Sequence, residues 1–474
     1  MTVAGADRGF LLDVGRCTGC AACTLACSTE NALGWGRSWR QIVTFNEERL
    51  PGVPAFHLSL ACNHCNEAPC VPQCPARAIS RDPDTGAVLI DGDTCIGCRY
   101  CAWVCPYDAP LFDEAASVMT KCTACHHRLT EGLPPACVEA CPTDALRYGA
   151  LEGAARVTGF PDTPAEPRIR FLGVDRVDSP PESTWRAFEG TWRADVSAGA
   201  HPAGSRPNPT ISLRSEIPLW LFTSAAAALV GWVLAAAVGT VALHPGPFIA
   251  LAAGALAVST LHLGRKLRAW RAVTNVRRSR LSREVAGFGA FLTLATLAAL
   301  WPGASGSVAQ GAAAWHGTAH ALLVAAGAAG LVALFFVDRV YDPVCPRRRL
   351  GLHSADAILT GPAFAAVLQG TGAVYAAFST LKAVLYVHRH GPTGPRGGWW
   401  LGVLRVAALA LPAPLWWLAP GAGSGWAYAA IGLFAAGELL DRAEFYEELR
   451  VRTPADEARR VLALRRAIKN PVDG

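Results

Sequence analysis

The sequence predicts an α+β cysteine-rich domain followed by an all-α polytopic membrane domain of seven or eight helices. Three observations carry that expectation. Sixteen of the seventeen cysteines lie between Cys17 and Cys141, in four groups of four. From about residue 217 the chain turns to Ala, Leu, Val, Gly and Trp in long uncharged runs. Between the two, residues 176–216 are rich in Pro, Ser, Gly and Arg, the composition of an irregular connector. A length of 474 residues calls for two or more domains. The expected boundaries are 1–175, a linker 176–216, a membrane domain 217–450 and a basic tail 451–474. A net charge of +6 is no nucleic-acid signature here, because much of the basic excess sits in loops between apolar runs.

The cysteine spacing carries the chemistry. Cys17, Cys20, Cys23 and Cys27 read C-x2-C-x2-C-x3-C, and Cys95, Cys98, Cys101 and Cys105 repeat it. Cys62, Cys65, Cys70 and Cys74 read C-x2-C-x4-C-x3-C. Cys122, Cys125, Cys137 and Cys141 open the middle gap to eleven residues. Pro75, Pro106 and Pro142 each follow the last cysteine of a group. This is the bacterial ferredoxin signature, in which three close cysteines hold one cubane and the fourth ligates a partner cluster. Four groups predict four 4Fe–4S clusters and a double ferredoxin-like four-cluster domain. A disulfide framework fits poorly, because close-set C-x2-C runs suit metal and no signal peptide is visible. Structural zinc usually combines two pairs rather than triplets with a reaching fourth ligand.

The intervening segments fit short strands. Phe10 and Leu11–Leu12–Asp13 read as a strand leading into the first group, and residues 28–61, with Trp35, Trp39 and Phe45, as a strand-rich insert. Asp84–Thr85–Gly86 followed by 87–91 reads as a hairpin turn and strand into the third group. His64, His126, His127, Lys121, Arg99 and Trp103 lie near ligands and are candidates to tune potentials, against a plainer reading as packing or surface residues.

Four passages make a resemblance specific: the first two cysteine groups, "DTCIGCRYCAWVCPYDAP", "KCTACHHRL…PPACVEACPTDAL" and "FPDTPAEPRIRFL". Residues of about 10–175 resemble the four-cluster electron-transfer subunit of dimethyl sulfoxide reductase-type molybdoenzymes. That resemblance implies pairing of the first group with the fourth and of the second with the third. The implied ligand sets are Cys17, Cys20, Cys23 and Cys141; Cys27, Cys122, Cys125 and Cys137; Cys62, Cys65, Cys70 and Cys105; and Cys74, Cys95, Cys98 and Cys101. Cysteine stands at all sixteen places, so four cubanes are expected rather than a three-iron cluster.

In the second half, apolar runs occupy 219–243, 246–263, 285–302, 317–337, 357–381, 399–418 (interrupted by Arg405) and 425–440. Each approaches the length of a spanning helix, roughly 17–25 residues. Arg265, Lys266, Arg268, Arg271, Arg277, Arg278, Arg280 and Arg283 fill one loop, and Arg339 and Arg347–Arg348–Arg349 another. The positive-inside rule puts these loops, and the cluster domain before the first span, on the cytoplasmic side of the cell membrane. Seven spans leave the Arg-rich tail outside. An eighth, formed if 357–388 turns back around Gly370–Thr371–Gly372, brings it inside.

"STLHLGRKLRAWRAVTNVRRSRLSRE" (259–284) and "GELLDRAEFYEEL" (437–449), and less closely "VDRVYDP" (337–343), resemble the eight-helix membrane anchor of dimethyl sulfoxide reductases. In that family the anchor oxidises menaquinol, and the histidine of the L-H-L-G element, here His262, belongs to the quinol site. An imidazole at the membrane edge can accept a proton from a quinol that loses two protons with two electrons. Arg265, Arg271 and Glu284 flank the same edge as candidates to bind a carbonyl or shuttle protons. Lipid anchoring is the simpler reading for Arg271 and the 277–283 cluster. His316 and His320, at i and i+4, cannot be the trans axial pair of one haem, so no haem is expected. Cys345 reads as structural or incidental.

The resulting expectation is an electron relay and membrane anchor of anaerobic respiration. It takes electrons from the menaquinone pool through four clusters to a separate molybdenum bis-pterin catalytic subunit. Quinol oxidation is this chain's own half-reaction. Two alternatives stand beside it: a reversed wire that reduces quinone for a hydrogenase- or formate dehydrogenase-like partner, and a non-catalytic membrane scaffold with structural metal sites.

Overall fold

A computed structural model of the chain describes residues 8–34, 36–45, 56–151, 163–173, 211, 213–239, 241–301, 313–344, 352–390, 399–411 and 424–449. The proposed linker, the basic tail, Trp35, Cys345 and Arg347–Arg349 lie outside the described residues almost entirely. Two compact units emerge, divided between residues 209 and 210.

The first unit alternates short strands with cysteine loops. β1 (Arg8–Asp13) is the centre of a three-stranded sheet. It pairs antiparallel with β8 (Leu146–Ala150) and parallel with β9 (Ile169–Leu172). β1 therefore joins the start of the first cysteine group to the end of the fourth. Alternation in β1 turns Phe10 and Leu12 into a core with Val14, Leu58, Leu146, Ile169 and Phe171. Cys23 and Cys137 belong to that same core. Three antiparallel pairs complete the strands. β2 (Gln41–Phe45) pairs with β3 (Phe56–Leu60), β4 (Ile79–Arg81) with β5 (Val88–Ile90), and β6 (Leu111–Asp113) with β7 (Val118–Thr120). Gly86, at φ 68°, makes the turn expected between β4 and β5. Five short helices, α1 (Ala22–Glu30), α2 (Cys70–Gln73), α3 (Tyr100–Val104), α4 (His126–Thr130) and α5 (Ala136–Glu139), each begin at or beside a cysteine loop. α1 packs on α5, and α2 on α3.

The second unit is helical. Its helices are α6 (Leu213–Ala237), α7 (Pro245–Thr260), α8 (Arg280–Leu300), α9 (Ala313–Val340), α10 (Ala357–Gln369), α11 (Gly372–His390), α12 (Trp399–Ala410) and α13 (Ser424–Glu448). A 3-10 segment, Lys266–Val273, carries the basic loop between α7 and α8. Ser279 caps α8 by accepting the Ser282 N–H at 3.3 Å. Three helices, Leu213–Ala237, Arg280–Leu300 and Gly317–Val340, are long and apolar enough to cross a membrane among the described residues. Pro245–Thr260 and Ala357–Gln369 are apolar but shorter.

The apolar run 357–381 is not one helix, which corrects its reading as a single span. Gly370 takes φ 67° as the left-handed cap of α10, and α11 starts at Gly372. The break falls on Gly370–Thr371–Gly372, and α10 and α11 pack on each other. Ala363, Ala366, Val367, Tyr375 and Phe434 form the core between α10, α11 and α13.

α6 and α10 cross backbone to backbone at glycines. A Cβ on Gly231 would stand 2.6 Å from the carbonyl oxygen of Gly361. Gly231→Ala is accordingly expected to lower stability by about 1–3 kcal/mol, because the helices must part. Gly254→Ala on α7, where an added Cβ meets nothing within 4 Å, is the matched control. Thermal unfolding of the detergent-solubilised chain compares the two, and equal melting points would remove the close-packing argument.

Candidate functional site

The cysteine loops share one backbone design. The residue just before the second cysteine of each group takes left-handed φ: Gly19 at 70°, His64 at 46°, Gly97 at 70° and Ala124 at 56°. That conformation turns the residue's N–H back onto the first cysteine. His64, Gly97 and Ala124 donate to the Sγ of Cys62, Cys95 and Cys122 at 3.5, 3.4 and 3.3 Å. The Gly19 N–H does the same for Cys17.

A second repeat follows the last cysteine. In C-P-x-x-A, the residue before the alanine is again left-handed: Arg77 at φ 54°, Asp108 at 50° and Asp144 at 53°. The turn aims the following N–H groups at the cysteine. Ala78 donates to Cys74 at 3.2 Å, and Ala109 donates to Cys105. Leu146 donates to Cys141 at 3.4 Å, joined by Ala145. The proline forces the chain out of helix after the ligand, which lets this turn form. Cys27 lacks the proline; Asn31 instead bonds its carbonyl at 2.9 Å.

Electrostatic neighbourhoods sort the thiols. Cys17 is raised by burial and by Cys23, Cys141 and Cys20. Cys125 is raised by burial and by Cys27, with the Ala136 N–H opposing. Cys65 is raised by burial, then by Cys62, Cys105 and Cys70. Burial pushes Cys98 up to about 12, with Cys74 and Cys95 adding to it. Burial also pushes Cys105 up to about 12. Thiols held this far up keep their protons until a metal replaces them. Influence also passes between groups: Cys23 adds to the rise at Cys137, Cys62 to that at Cys122 and Cys70 to that at Cys101.

These residues fit clusters. Fifteen of the sixteen cysteines are buried or half-buried, the exception being exposed Cys20. Among the described residues no three His, Cys, Asp or Glu side chains close in on a point as the ligands of a single ion do. A cube of iron and sulfide is wider than an ion and holds its thiolates apart. A small cavity is lined by Cys62, Cys65, Cys70 and Cys105, with His64 and Pro106 beside them.

The tuning candidates divide. His64 is buried; its Nδ1 accepts the Val88 N–H at 2.9 Å, and its Nε2 has no protein partner. Burial holds it well below the usual histidine range, with Lys121 and Arg168 adding to the effect. Lys121 is buried and donates to the carbonyls of Val88 and Cys122. Trp103 is buried edge-on to Tyr100, with ring centroids 6.0 Å apart. His127 is tied to Glu30 at 2.8 Å and His126 to Asp82 at 3.4 Å. Arg99 lies over the Phe112 ring, 4.1 Å from its centroid.

The pattern of residue types did not mark out Arg40. It is 1 % exposed, one of the largest fully buried side chains in the unit, with Arg168. Nothing in its local sequence distinguishes it from a surface arginine. Only the β2–β3 hairpin brings it under Ser59 and among the cysteines.

In the helical unit, His262 is half-buried in the turn after α7. Arg265 is exposed at the start of the 3-10 segment, and Glu284 is buried in the first turns of α8. Asp338, near the end of α9, is the charged neighbour of Glu284. Arg271 lies beside Trp270, 5.4 Å from its ring centroid. His320 is exposed, and the side chain of His316 lies outside the described residues.

A buried ionic network that the residue pattern left unmarked runs through α10, α11 and α13. Lys382 Nζ lies 3.0 Å from both Thr360 Oγ1 and Glu438 Oε2. Arg389 reaches Asp441 at 3.0 Å and Glu444 at 3.2 Å. Its signal was the acidic residues at helical spacing, Glu438, Asp441, Glu444 and Glu448, within an otherwise apolar helix.

Known proteins share both halves of this arrangement. Residues 53–151 match the family described as a 4Fe-4S dicluster domain, and residues 213–345 match the DMSO reductase anchor subunit. The probable anaerobic dimethyl sulfoxide reductase chain YnfG of Escherichia coli is 43% identical over 181 residues, covering 36% of this chain and 88% of that protein. A second anaerobic dimethyl sulfoxide reductase chain, from the same species, is 42% identical over 181 residues with the same coverage. A sulfite dehydrogenase subunit of Allochromatium vinosum is 38% identical over 161 residues, covering 30% of this chain and 67% of that protein.

Proposed function

The chain belongs to the family of dimethyl sulfoxide reductase iron–sulfur subunits, here continuous with an anchor-subunit segment, and from that premise we propose that it is an electron arm of a molybdenum bis-pterin oxidoreductase. It transfers electrons, anchors its complex in the membrane and serves a separate catalytic subunit. The finer reading is four 4Fe–4S clusters fed by menaquinol, from a cluster domain on the cytoplasmic face of a multi-pass chain with seven or eight spans, divided as 1–175, 176–216, 217–450 and 451–474.

One observation carries the cluster reading: Cys62, Cys65, Cys70 and Cys105, one of the ligand sets that the resemblance implies, line a single cavity. The clusters supply one-electron transfer when bound. The chain's own residues do the rest. The proposed order runs from the Cys17 set, through the Cys27 and Cys62 sets, to the Cys74 set, and is supported by the influence of Cys23 on Cys137, of Cys62 on Cys122 and of Cys70 on Cys101. The repeated left-handed turns hold N–H donors on the sulfurs, which stabilises added negative charge. At the membrane His262 takes a quinol proton, with Arg265 and Glu284 as its flanking groups.

Anaerobic purification of the full chain tests this reading. Iron and acid-labile sulfide should both reach four clusters' worth, and a menaquinol analogue should reduce the clusters, as read by electron paramagnetic resonance. Zinc in place of iron, or thiols that do not bleach and recover with dithionite and oxidant, would leave a structural scaffold. Cys62→Ser should remove about one quarter of the reduced-cluster spins, since each set holds one cluster. Loss of none, or of all with the chain still folded, would break the assignment of that set.

The relative named as a sulfite dehydrogenase subunit favours a second direction of flow, in which a catalytic partner feeds electrons in and quinone is reduced. Midpoint potentials of the four clusters, set against that of menaquinone, separate the two directions.

A further inference from the structure

Arg40 is a buried cation with no carboxylate counter-charge among the described residues. Its Nη1 donates to the carbonyl of Ser59 at 3.0 Å and to Ser59 Oγ at 3.1 Å. Its guanidinium carbon lies 4.4 Å from the centroid of the Phe10 ring. Nε and Nη2 meet no protein acceptor. Among the described residues it pairs with no carboxylate. A guanidinium sealed from water without a negative partner is strongly unfavourable. The groups that surround this one are Cys137, Cys122, Cys23 and Cys27. Ser59 Oγ also lies 3.3 Å from Cys23 Sγ, so the side chain that holds Arg40 touches a cluster thiol.

Those four thiols come from two ligand sets. Cys23 belongs with Cys17, Cys20 and Cys141; Cys27, Cys122 and Cys137 belong together with Cys125. We propose that Arg40 is a positioning residue for electron transfer, the shared buried counter-charge of the two clusters held by the first and fourth cysteine groups. This rests on the cluster reading above. A cubane held by four thiolates carries net negative charge and gains one more on reduction. A fixed positive charge therefore stabilises the reduced form more than the oxidised form and raises the potential. The permanence of the guanidinium charge matters, because an amine buried here would be free to deprotonate. Its Nε and Nη2, with three N–H groups between them, are donors for sulfur that the described protein groups leave unused.

The test is a redox titration of the purified full chain, followed by paramagnetic resonance. Arg40→Met keeps most of the volume and removes the charge. The clusters of the Cys17 and Cys27 sets should each become about tenfold harder to reduce, a fall of about 59 mV for a one-electron couple. The clusters of the Cys62 and Cys74 sets should move much less. Arg40→Lys should restore part of the shift. Unchanged potentials in Arg40→Met, or an equal shift in all four clusters, overturn the proposal. So does a shift in Arg40→Lys as large as that in Arg40→Met.

If Arg40→Met does not take up iron, the wild-type chain labelled with 15N-arginine decides. A nitrogen coupling in the signal of the reduced Cys27 cluster supports the contact, and its absence overturns it. A wild-type chain that holds no clusters at all would instead refute the cluster reading itself, which iron analysis reports separately.

Discussion

Replacing Lys382 with methionine is expected to cost about 3–5 kcal/mol of stability, because it leaves a buried carboxylate uncompensated. Lys382 is wholly buried, and Glu438 is 5 % exposed. The ammonium lies 3.0 Å from Glu438 Oε2 and 3.0 Å from Thr360 Oγ1. Thr360 in turn donates to Glu438 at 2.7 Å, and Arg442 reaches Thr360 at 3.2 Å. Three helices, α10, α11 and α13, are thus tied at one point within a buried ionic network. Methionine fills the space and supplies no donor. The double substitution Lys382→Met with Glu438→Gln removes both charges and should recover most of the loss, since the cost belongs to the orphaned ion rather than to the missing pair. Thermal unfolding of the solubilised chain measures both variants. A single variant that melts with the wild type, or a double variant no better than the single, would sink the argument.

His262→Ala is expected to slow menaquinol-driven cluster reduction by about 10²–10⁴-fold, the usual contribution of a positioned general base. Reduction of the same clusters by dithionite should be unchanged, because that route bypasses the membrane site. The separation of the two rates carries the test. His262 stands half-buried in the turn between an apolar helix and the basic 3-10 segment. Glu284 is buried one element further on, beside Asp338. If quinol still reduces the clusters at the wild-type rate in His262→Ala, the proton acceptor lies elsewhere. The Glu284→Gln variant then becomes the measurement to make.

The cluster domain was legible because cubane ligation is local. Three thiolates within seven residues and a proline after the fourth are enough to name the chemistry. The strand at Phe10–Asp13 and the turn at Asp84–Gly86 followed from alternation and turn residues. The left-handed turns at Arg77, Asp108 and Asp144 were less visible, since nothing about arginine or aspartate announces positive φ. They show up only as a repeat across three groups. Arg40 was not legible at all. Its role depends on Ser59 and on cysteines from opposite ends of the domain, which no window of sequence contains.

The membrane half reversed the balance. Composition alone marked it as apolar and helical, and hydropathy found the runs. The break at Gly370 was ambiguous in sequence, because a glycine is compatible with both a continuous helix and a cap. Packing of α10 against α11 and α13 decides for the cap. The same packing turns Lys382, Arg389, Arg405, Glu438, Asp441 and Glu444 from apparent interruptions of apolar runs into mutual partners.

What the sequence by itself determined is the iron–sulfur character of the first half, the presence of an apolar helical half and the family resemblance of both. Those properties reside in residue type and short-range spacing, which the linear chain already contains. Only the tertiary structure decided which side chains are buried together and where a buried cation such as Arg40 comes to lie. Electrostatic energy depends on distance through space and on exclusion of water, and both come into existence only when strands and helices from remote parts of the chain close around the same point.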